Sequence, residues 1–139
     1  MILLDTSGLL SAIDESQRRH AACAEVLSGA SPPLLLSPFV LAELDYLLAT
    51  QVDSHARLAL ADEVARGVYR LEPFSAHDVS VAADVMRRYA NLAIGLADAS
   101  IVALAQRHGT RDVLTLDERH FRALRTSDGK RFSVLPADQ

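Results

Sequence analysis

Residues 1–7 read MILLDTS, and the interpretation of the whole chain starts from this stretch. The apolar run before Asp5 is too short for a helix, so we predict a buried β-strand that ends at a carboxylate. In open α/β sheets, ligands bind just beyond the carboxyl ends of the strands. Asp5 could therefore serve chemistry, or it could cap the helix that follows. Ser7 is able to cap that helix alone, and the stretch by itself leaves both roles of Asp5 open.

The composition indicates one domain without disulfides or membrane spans. The 139 residues are 50% hydrophobic and 5% aromatic, which predicts a single core built mainly from Leu, Val and Ala. Cys23 is the only cysteine, so an intrachain disulfide and a cysteine metal cluster are excluded. No apolar run approaches the roughly 20 residues of a membrane span, and Asp5 interrupts any signal peptide. We expect a cytoplasmic protein that forms a single domain over residues 1–139 and does not bind membranes.

The charges are distributed unevenly along the chain, whose net charge is −4. Residues 1–65 carry nine acids against three bases, whereas residues 86–135 carry nine bases against five acids. The basic part could bind phosphate, because Arg makes bidentate phosphate contacts, although a compositional bias would produce the same excess of Arg. Lys130 is the only lysine, so no GxxxxGK[ST] loop exists and a P-loop nucleotidase is excluded.

Strand and helix patterns alternate along the chain. We predict strands in residues 2–4, 34–36, 68–71, 113–116 and 132–135, and helices in residues 8–13, 16–27, 39–49, 53–66, 76–89, 96–108 and 118–124. Ser37 and Pro38 supply the cap and the first-turn proline of the third helix, and Gly109 ends the sixth. This alternation predicts a parallel sheet wrapped by helices in a single α/β domain.

Two acids follow short apolar strands. Asp5 comes after ILL, and Asp117 comes after VLTL. Because parallel strands point the same way, we expect both carboxylates at the same edge of the sheet.

Two further acids lie on apolar helix faces. The neighbours of Glu43 three and four positions away define such a face, so its carboxylate should point into the interior or to the lip of a cleft. A buried salt bridge to an Arg would explain it equally. Asp98 lies in the first turn of its helix and also faces inward, where the alternative is a favourable interaction with the helix dipole. Asp45 shares the helix of Glu43, and we expect it to act as a structural partner near the site.

Convergence of these acids would create a metal site, because clustered carboxylates raise one another's pKa or bind a cation. Only Arg119 among the basic residues lies close in sequence to any of them. Oxygen ligands without Cys or His favour Mg²⁺ or Mn²⁺ over Zn²⁺. We predict metal-assisted phosphodiester hydrolysis, with a catalytic set of Asp5, Glu43, Asp98 and Asp117, in which Asp5 and Asp98 are the metal ligands.

Four segments of the chain carry a family resemblance. They are DTSGLL (5–10), SPFVLAELDYLL (37–48), GLADASIVALA (95–105) and LTLDERHF (114–121). In this order and at these separations they resemble the PIN-domain family, and more closely the VapC-type toxins of bacterial toxin–antitoxin pairs, the mycobacterial members in particular.

The resemblance implies a three-layer α/β/α sandwich on a parallel sheet of about five strands. It also implies a Mg²⁺- or Mn²⁺-dependent endoribonuclease that cleaves structured RNA such as tRNA or ribosomal RNA. The four acids of the family fall on the four named above, and its hydroxyl after the first acid falls on Thr6 or Ser7. Thr115 and Asp45 are further supporting candidates. A homodimer and silencing by a cognate VapB antitoxin are implied as well.

Other interpretations stay open at this point. A haloacid-dehalogenase-like phosphatase also begins with an Asp at a strand end, but it needs a second Asp where this chain has Ser7. The domain could instead be a non-catalytic module for RNA or a partner, with acids that only hold salt bridges. The candidate RNA contacts, which could also be an ordinary charged surface, are Arg87, Arg88, Arg111, Arg119, His120 and Arg122.

Overall fold

The chain folds around a five-stranded parallel sheet whose strand order is β3-β2-β1-β4-β5. The computed structural model describes residues 1 to 139. The strands are β1 (Ile2–Leu4), β2 (Leu34–Leu36), β3 (Arg70–Leu71), β4 (Asp112–Leu114) and β5 (Ser133–Leu135). The α-helices are α1 (Thr6–Ile13), α2 (His20–Gly29), α3 (Pro38–Gln51), α4 (Ser54–Ala65), α5 (Ala76–Arg88), α6 (Leu96–His108) and α7 (Glu118–Ala123).

Strand β1 lies in the middle of the sheet and is buried on both faces. Ile2, Leu3 and Leu4 are at most 3% exposed, although successive side chains of a strand point to opposite faces. Helices must therefore cover both faces, as parallel sheets require. The predicted three-layer α/β/α sandwich on five parallel strands is confirmed. Cys23 is fully buried, as expected of a core residue.

The predicted boundaries differ from the structure in two places that matter for the site. Helix α2 begins at His20 rather than at residue 16, because the Asp14 carboxylate binds the backbone N–H of Ser16 and the side chain of Gln17 in a turn. Strand β4 ends at Leu114 rather than at residue 116. No helix of the chain combines the length and the apolar character needed to cross a bilayer.

Helix α1 packs against β4 at a distance that only glycine permits. A Cβ atom added to Gly8 would lie 2.4 Å from the backbone oxygen of Leu114 and 2.8 Å from its Cγ. A backbone atom cannot rotate away as a flexible side chain can. We expect Gly8→Ala to lower the free energy of unfolding by about 1–3 kcal/mol, as overpacking does, measured by urea denaturation.

Gly29→Ala is the matched control for this prediction. Gly29 is also a helical glycine, but a Cβ atom there would have no neighbour within 4 Å. Because alanine is the better helix former, this variant should be neutral or more stable by up to about 1 kcal/mol. An equal loss of stability in both variants would contradict the role assigned to the contact with Leu114.

Candidate active site

The four predicted acids line one cleft at the carboxyl edge of the sheet. Asp5 follows β1, Asp98 lies in the first turn of α6, Asp117 precedes α7, and Glu43 reaches the cleft from α3. The remaining lining residues are Thr6, Ser7, Leu10, Leu47, Gly95 and Ala97. The tertiary structure therefore brings together four acidic side chains that are far apart in sequence.

The Asp5 carboxylate is buried and does not cap α1. It is 4% exposed and its side chain makes no capping hydrogen bond, although Asp5 occupies the N-cap position. Its Oδ2 instead accepts hydrogen bonds from Thr115 Oγ1 at 2.6 Å and Ser7 Oγ at 3.0 Å. The two hydroxyl groups fix the carboxylate, and the capping role that the sequence left open is excluded.

Thr115, rather than Asp117, lies level with Asp5 across the sheet. Leu4 pairs with Leu114, so the next residue of each strand, Asp5 or Thr115, emerges at the same height. The prediction that Asp117 directly ends a strand is wrong, because β4 stops three residues earlier. Asp117 is instead the N-cap residue of α7.

Ser7 and Thr6 have different surroundings, which the sequence could not distinguish. Ser7 Oγ accepts a hydrogen bond from the backbone N–H of Leu116 at 2.9 Å and donates to Asp5, so it joins α1 to the loop after β4. Thr6 is 6% exposed, and its Oγ1 is the only buried side-chain oxygen without a hydrogen-bond partner. Because buried hydroxyl groups are normally paired, an unpaired hydroxyl on a residue that lines the cleft is consistent with a polar ligand there.

Asp98 and Asp117 contact the same side chain. His120 Nδ1 lies 2.9 Å from Asp98 Oδ2 and 3.0 Å from Asp117 Oδ2. These three residues offer ligand atoms that all lie within 4.8 Å of one another, which is close enough to bind one metal ion. The sequence placed His120 among the RNA contacts and expected no histidine in the cluster, and the structure corrects that expectation. The signal was present in the sequence, since His120 follows Asp117 by one helical turn.

The two acids of α3 point to different places. Glu43 lies at the lip of the cleft and is exposed, which rules out the buried salt bridge considered from the sequence. Asp45 lies outside the cleft and pairs with Arg57 of α4 through two hydrogen bonds. The expectation that Asp45 supports the site is wrong. Both residues had apolar neighbours in sequence, but the helix presents them about 200° apart, since each residue advances the helix by about 100°.

The cleft concentrates negative charge without an Arg or Lys neighbour. No Arg or Lys forms an ion pair with any of the four acids. Burial raises the pKa of Asp5 to about 6, and the charge of Asp98 adds to the effect, while the hydrogen bond from Thr115 opposes it. Burial also raises the pKa of Asp98, against the hydrogen bond from His120. Such a site favours a divalent cation of the type that binds oxygen ligands.

Most of the predicted RNA contacts are not at the cleft. Arg87 pairs with Asp84, and Arg122 pairs with Glu118 and Asp138. Arg111 precedes β4 and thus lies at the amino edge of the sheet, opposite the acids. Arg88 lines a surface depression beside α5 and α6, and Arg119 is exposed two residues after Asp117.

Two other arginines lie beside the site and were not predicted. Arg18 and Arg19 line a groove with Thr115, Leu116, Glu118 and the residues after β5. Both are exposed, and neither pairs with an acid. The sequence offered no signal for them, because they lie in a turn outside the four motif segments.

Comparison with known families agrees with this arrangement. The family model of the PIN domain matches residues 2–126. The chain belongs to the PIN-domain family. The resemblance inferred from the four sequence segments is therefore confirmed, and the match includes all four acids of the cleft.

One relative of this PIN domain is the ribonuclease VapC26 of Mycobacterium tuberculosis. The two sequences are 44% identical over 135 residues, which cover 97% of this chain and 100% of the relative. Among solved structures, VapC20 of Mycobacterium tuberculosis, described as a toxin that cleaves the sarcin–ricin loop, matches with a TM-score of 0.79 at 23% identity over 84% of this chain and 90% of that one. VapBC2 of Rickettsia felis, bound to a DNA fragment from its promoter, matches with a TM-score of 0.65 at 19% identity over 96% and 98% of the two chains.

Proposed function

We propose that this chain is a metal-dependent endoribonuclease and the toxin component of a type II toxin–antitoxin pair. The observation that carries the proposal is the cleft itself, which Asp5, Glu43, Asp98 and Asp117 line together without an Arg or Lys partner. The 44% identity to the ribonuclease VapC26 over nearly the whole chain supports the choice of RNA as the substrate. The whole chain, residues 1–139, would act as one nuclease domain.

The residues of the cleft fit Mg²⁺ or Mn²⁺. The donors are carboxylate oxygens, which hard divalent ions prefer, and Thr6, whose Oγ1 has no hydrogen-bond partner, lines the same cleft. Asp5 and Asp98 would hold the ion from β1 and α6, with Asp117 beside them. When bound, the ion supplies positive charge at the scissile phosphate and acidifies a water molecule.

The protein side chains divide the remaining tasks. Thr115 and Ser7 donate hydrogen bonds to Oδ2 of Asp5, so the orientation of this carboxylate at the cleft is fixed. Glu43 is exposed at the lip and is free to orient a water molecule and accept its proton, because no ion pair engages its carboxylate. Ser7 makes a phosphatase of the haloacid-dehalogenase type unsuitable, since that chemistry requires an acid where this hydroxyl group binds Asp5.

The proposed role implies particular partners. The substrate would be a structured cellular RNA such as tRNA or ribosomal RNA, whose cleavage inhibits translation and growth in the cytoplasm. A cognate VapB-type antitoxin would silence the toxin, and the chain would form a homodimer within a toxin–antitoxin hetero-oligomer. The similarity to VapBC2 of Rickettsia felis shows the shared fold and motivates these partners for this chain.

Incubation of the purified chain with total RNA and Mn²⁺, with and without EDTA, tests the function. We expect discrete new 5′ ends that appear only without the chelator, and mapping those ends identifies the RNA. Cleavage that persists in EDTA would refute the metal-dependent mechanism. RNA binding without cleavage under any metal would instead identify a non-catalytic binding module.

The groove of Arg18 and Arg19 predicts the path of the RNA backbone next to the acids. Replacing both by Ala should raise KM roughly tenfold, because two phosphate contacts are lost while the cleft is intact. The slope of log KM against log salt should fall by about 0.7 for each lost contact to single-stranded RNA. Steady-state cleavage of a defined RNA over a series of salt concentrations measures both quantities.

Arg66→Ala is the control for this pair. Arg66 is exposed at the end of α4, pairs with no acid and lies outside the groove. Its removal should leave KM and the salt slope unchanged. If the Arg18/Arg19 variant instead lowers kcat and keeps the wild-type KM, the assigned role in substrate binding is contradicted.

A further inference from the structure

The contacts of His120 place a ring nitrogen among the acidic oxygens of the cleft region. Its Nδ1 lies 2.9 Å from Asp98 Oδ2 and 3.0 Å from Asp117 Oδ2. An octahedral ion with bonds of about 2.1 Å has adjacent ligand atoms about 3.0 Å apart. In this structure the contact with Asp98 is a hydrogen bond and the contact with Asp117 is an ion pair, and both lengths also agree with the edges of such a coordination shell, with Nδ1 at one vertex.

The local fold holds this ring in place. The Oδ1 atom of Asp117 caps α7 by accepting a hydrogen bond from the backbone N–H of His120 at 3.1 Å, which leaves Oδ2 for the site. Phe121, the next residue, is fully buried and packs edge-to-face on Phe132 at 5.7 Å between ring centroids. The capping interaction and the buried aromatic anchor fix His120 relative to Asp117, while Asp98 approaches from α6.

We propose that His120 Nδ1 is a ligand of a divalent cation that Asp98 and Asp117 bind through their Oδ2 atoms. The inference rests on the proposed function and extends its ligand set, since Asp117 and His120 would join Asp98 in binding the ion. A second observation concerns the same cleft: Thr6, which is 6% exposed, lines it together with Asp98 and Asp117, and its buried Oγ1 has no hydrogen-bond partner.

A nitrogen ligand changes the expected metal preference. Imidazole suits transition metals, whereas Mg²⁺ is bound chiefly by oxygen. The site should therefore favour Mn²⁺ over Mg²⁺ more strongly than a site made only of carboxylates. The opposing interpretation is a counter-charge, in which a protonated His120 neutralises the two acids and a metal ion must displace it. The two interpretations predict opposite effects of removing the ring.

Mn²⁺ binding to the full chain, followed by electron paramagnetic resonance, distinguishes them without any activity assay. With His120 as a ligand, the pulsed spectrum of bound Mn²⁺ shows a directly coordinated ¹⁴N. His120→Ala loses this coupling and weakens Mn²⁺ binding at least roughly tenfold, comparable with the 10–100-fold cost of removing even an outer-shell partner. Mg²⁺ affinity, measured by competition with Mn²⁺, falls by a smaller factor.

His55→Ala is the control, because His55 is exposed on α4 and remote from the cleft. It should retain both the ¹⁴N signal and the wild-type affinity. Mn²⁺ that binds the wild-type chain without ¹⁴N coupling, or that binds His120→Ala as tightly or more tightly, would overturn the inference and leave the nuclease function standing. Absence of Mn²⁺ binding to the wild-type chain would refute the metal-dependent function as well. Because the wild-type spectrum decides the ligand question, the test does not depend on the folding of the variant.

Discussion

Replacing Asp98 by Asn should reduce kcat/KM for RNA cleavage by about a thousandfold or more, since the ion's charge stabilisation in the transition state amounts to several kcal/mol. Asp98 shares its contact to His120 with Asp117, and its charge also raises the pKa of Asp5, so it occupies the centre of the charge cluster. The variant should also bind Mn²⁺ more weakly. Cleavage of a defined RNA and calorimetric titration with Mn²⁺ measure the two effects.

We expect the Asp98→Asn variant to remain folded. Its stability then distinguishes a catalytic role of Asp98 from a structural role. Burial raises the pKa of Asp98, so the ionised carboxylate costs stability in the metal-free protein and a neutral amide relieves that cost. We expect the melting temperature in EDTA to be unchanged or higher. A variant that unfolds in EDTA, or one that keeps wild-type cleavage, would contradict the assignment.

Asp45→Asn is the matched control. Asp45 lies outside the cleft and forms an exposed ion pair with Arg57, so its replacement should change the free energy of unfolding little. RNA cleavage and Mn²⁺ affinity should remain those of the wild type. The comparison between Asp98 and Asp45 tests whether the effect belongs to the cleft rather than to the removal of any acid.

The metal-free protein should lose stability as the pH rises from about 5 to about 7.5. The pKa of Asp5 is about 6 in the folded protein against 3.8 as its ordinary value. The native state therefore binds more protons than the unfolded state in this range, and the free energy of unfolding falls as the pH rises through the folded pKa. Across this range the free energy of unfolding should fall by about 1.4 kcal/mol. The complete difference between the two pKa values corresponds to about 3 kcal/mol.

The other carboxyl groups with shifted pKa values do not reverse this trend. The raised pKa of Asp98 acts in the same direction. Carboxyl groups whose pKa is lowered by partners, such as Asp138 at about 2, titrate below this range. Urea denaturation in EDTA at the two pH values measures the loss, and saturating Mn²⁺ should remove it because the ion offsets the charge of the cluster.

Asp5→Asn is the variant that tests the origin of the pH dependence. In this variant the free energy of unfolding should be nearly the same at about pH 5 and about pH 7.5, whatever the effect of the substitution on the absolute stability. Asp45→Asn should retain the full difference, because that carboxylate is exposed and its pKa is lowered by Arg57. An undiminished slope in Asp5→Asn would mean that Asp5 is not the group that titrates.

Patterns within short segments could be interpreted from the sequence alone. Three apolar residues before Asp5 predicted a central buried strand, and the alternation of strand and helix patterns predicted the parallel α/β sheet. Ser37 caps α3 as expected, with its hydroxyl oxygen accepting from the N–H of Phe39 at 3.2 Å. The four acids were also found from sequence, because strand ends and the apolar neighbours on helices are local features.

The tertiary structure alone decided which groups meet, since those contacts join distant parts of the chain. Glu43 and Asp45 both have apolar neighbours, and only the packing of α3 between the cleft and α4 places one at the site and pairs the other with Arg57. Thr115 reaches Asp5 across 110 positions, and His120 reaches Asp98 across 22. Helical and strand periodicity specify which face a side chain occupies, whereas the partner on that face depends on the register and packing of the whole sheet.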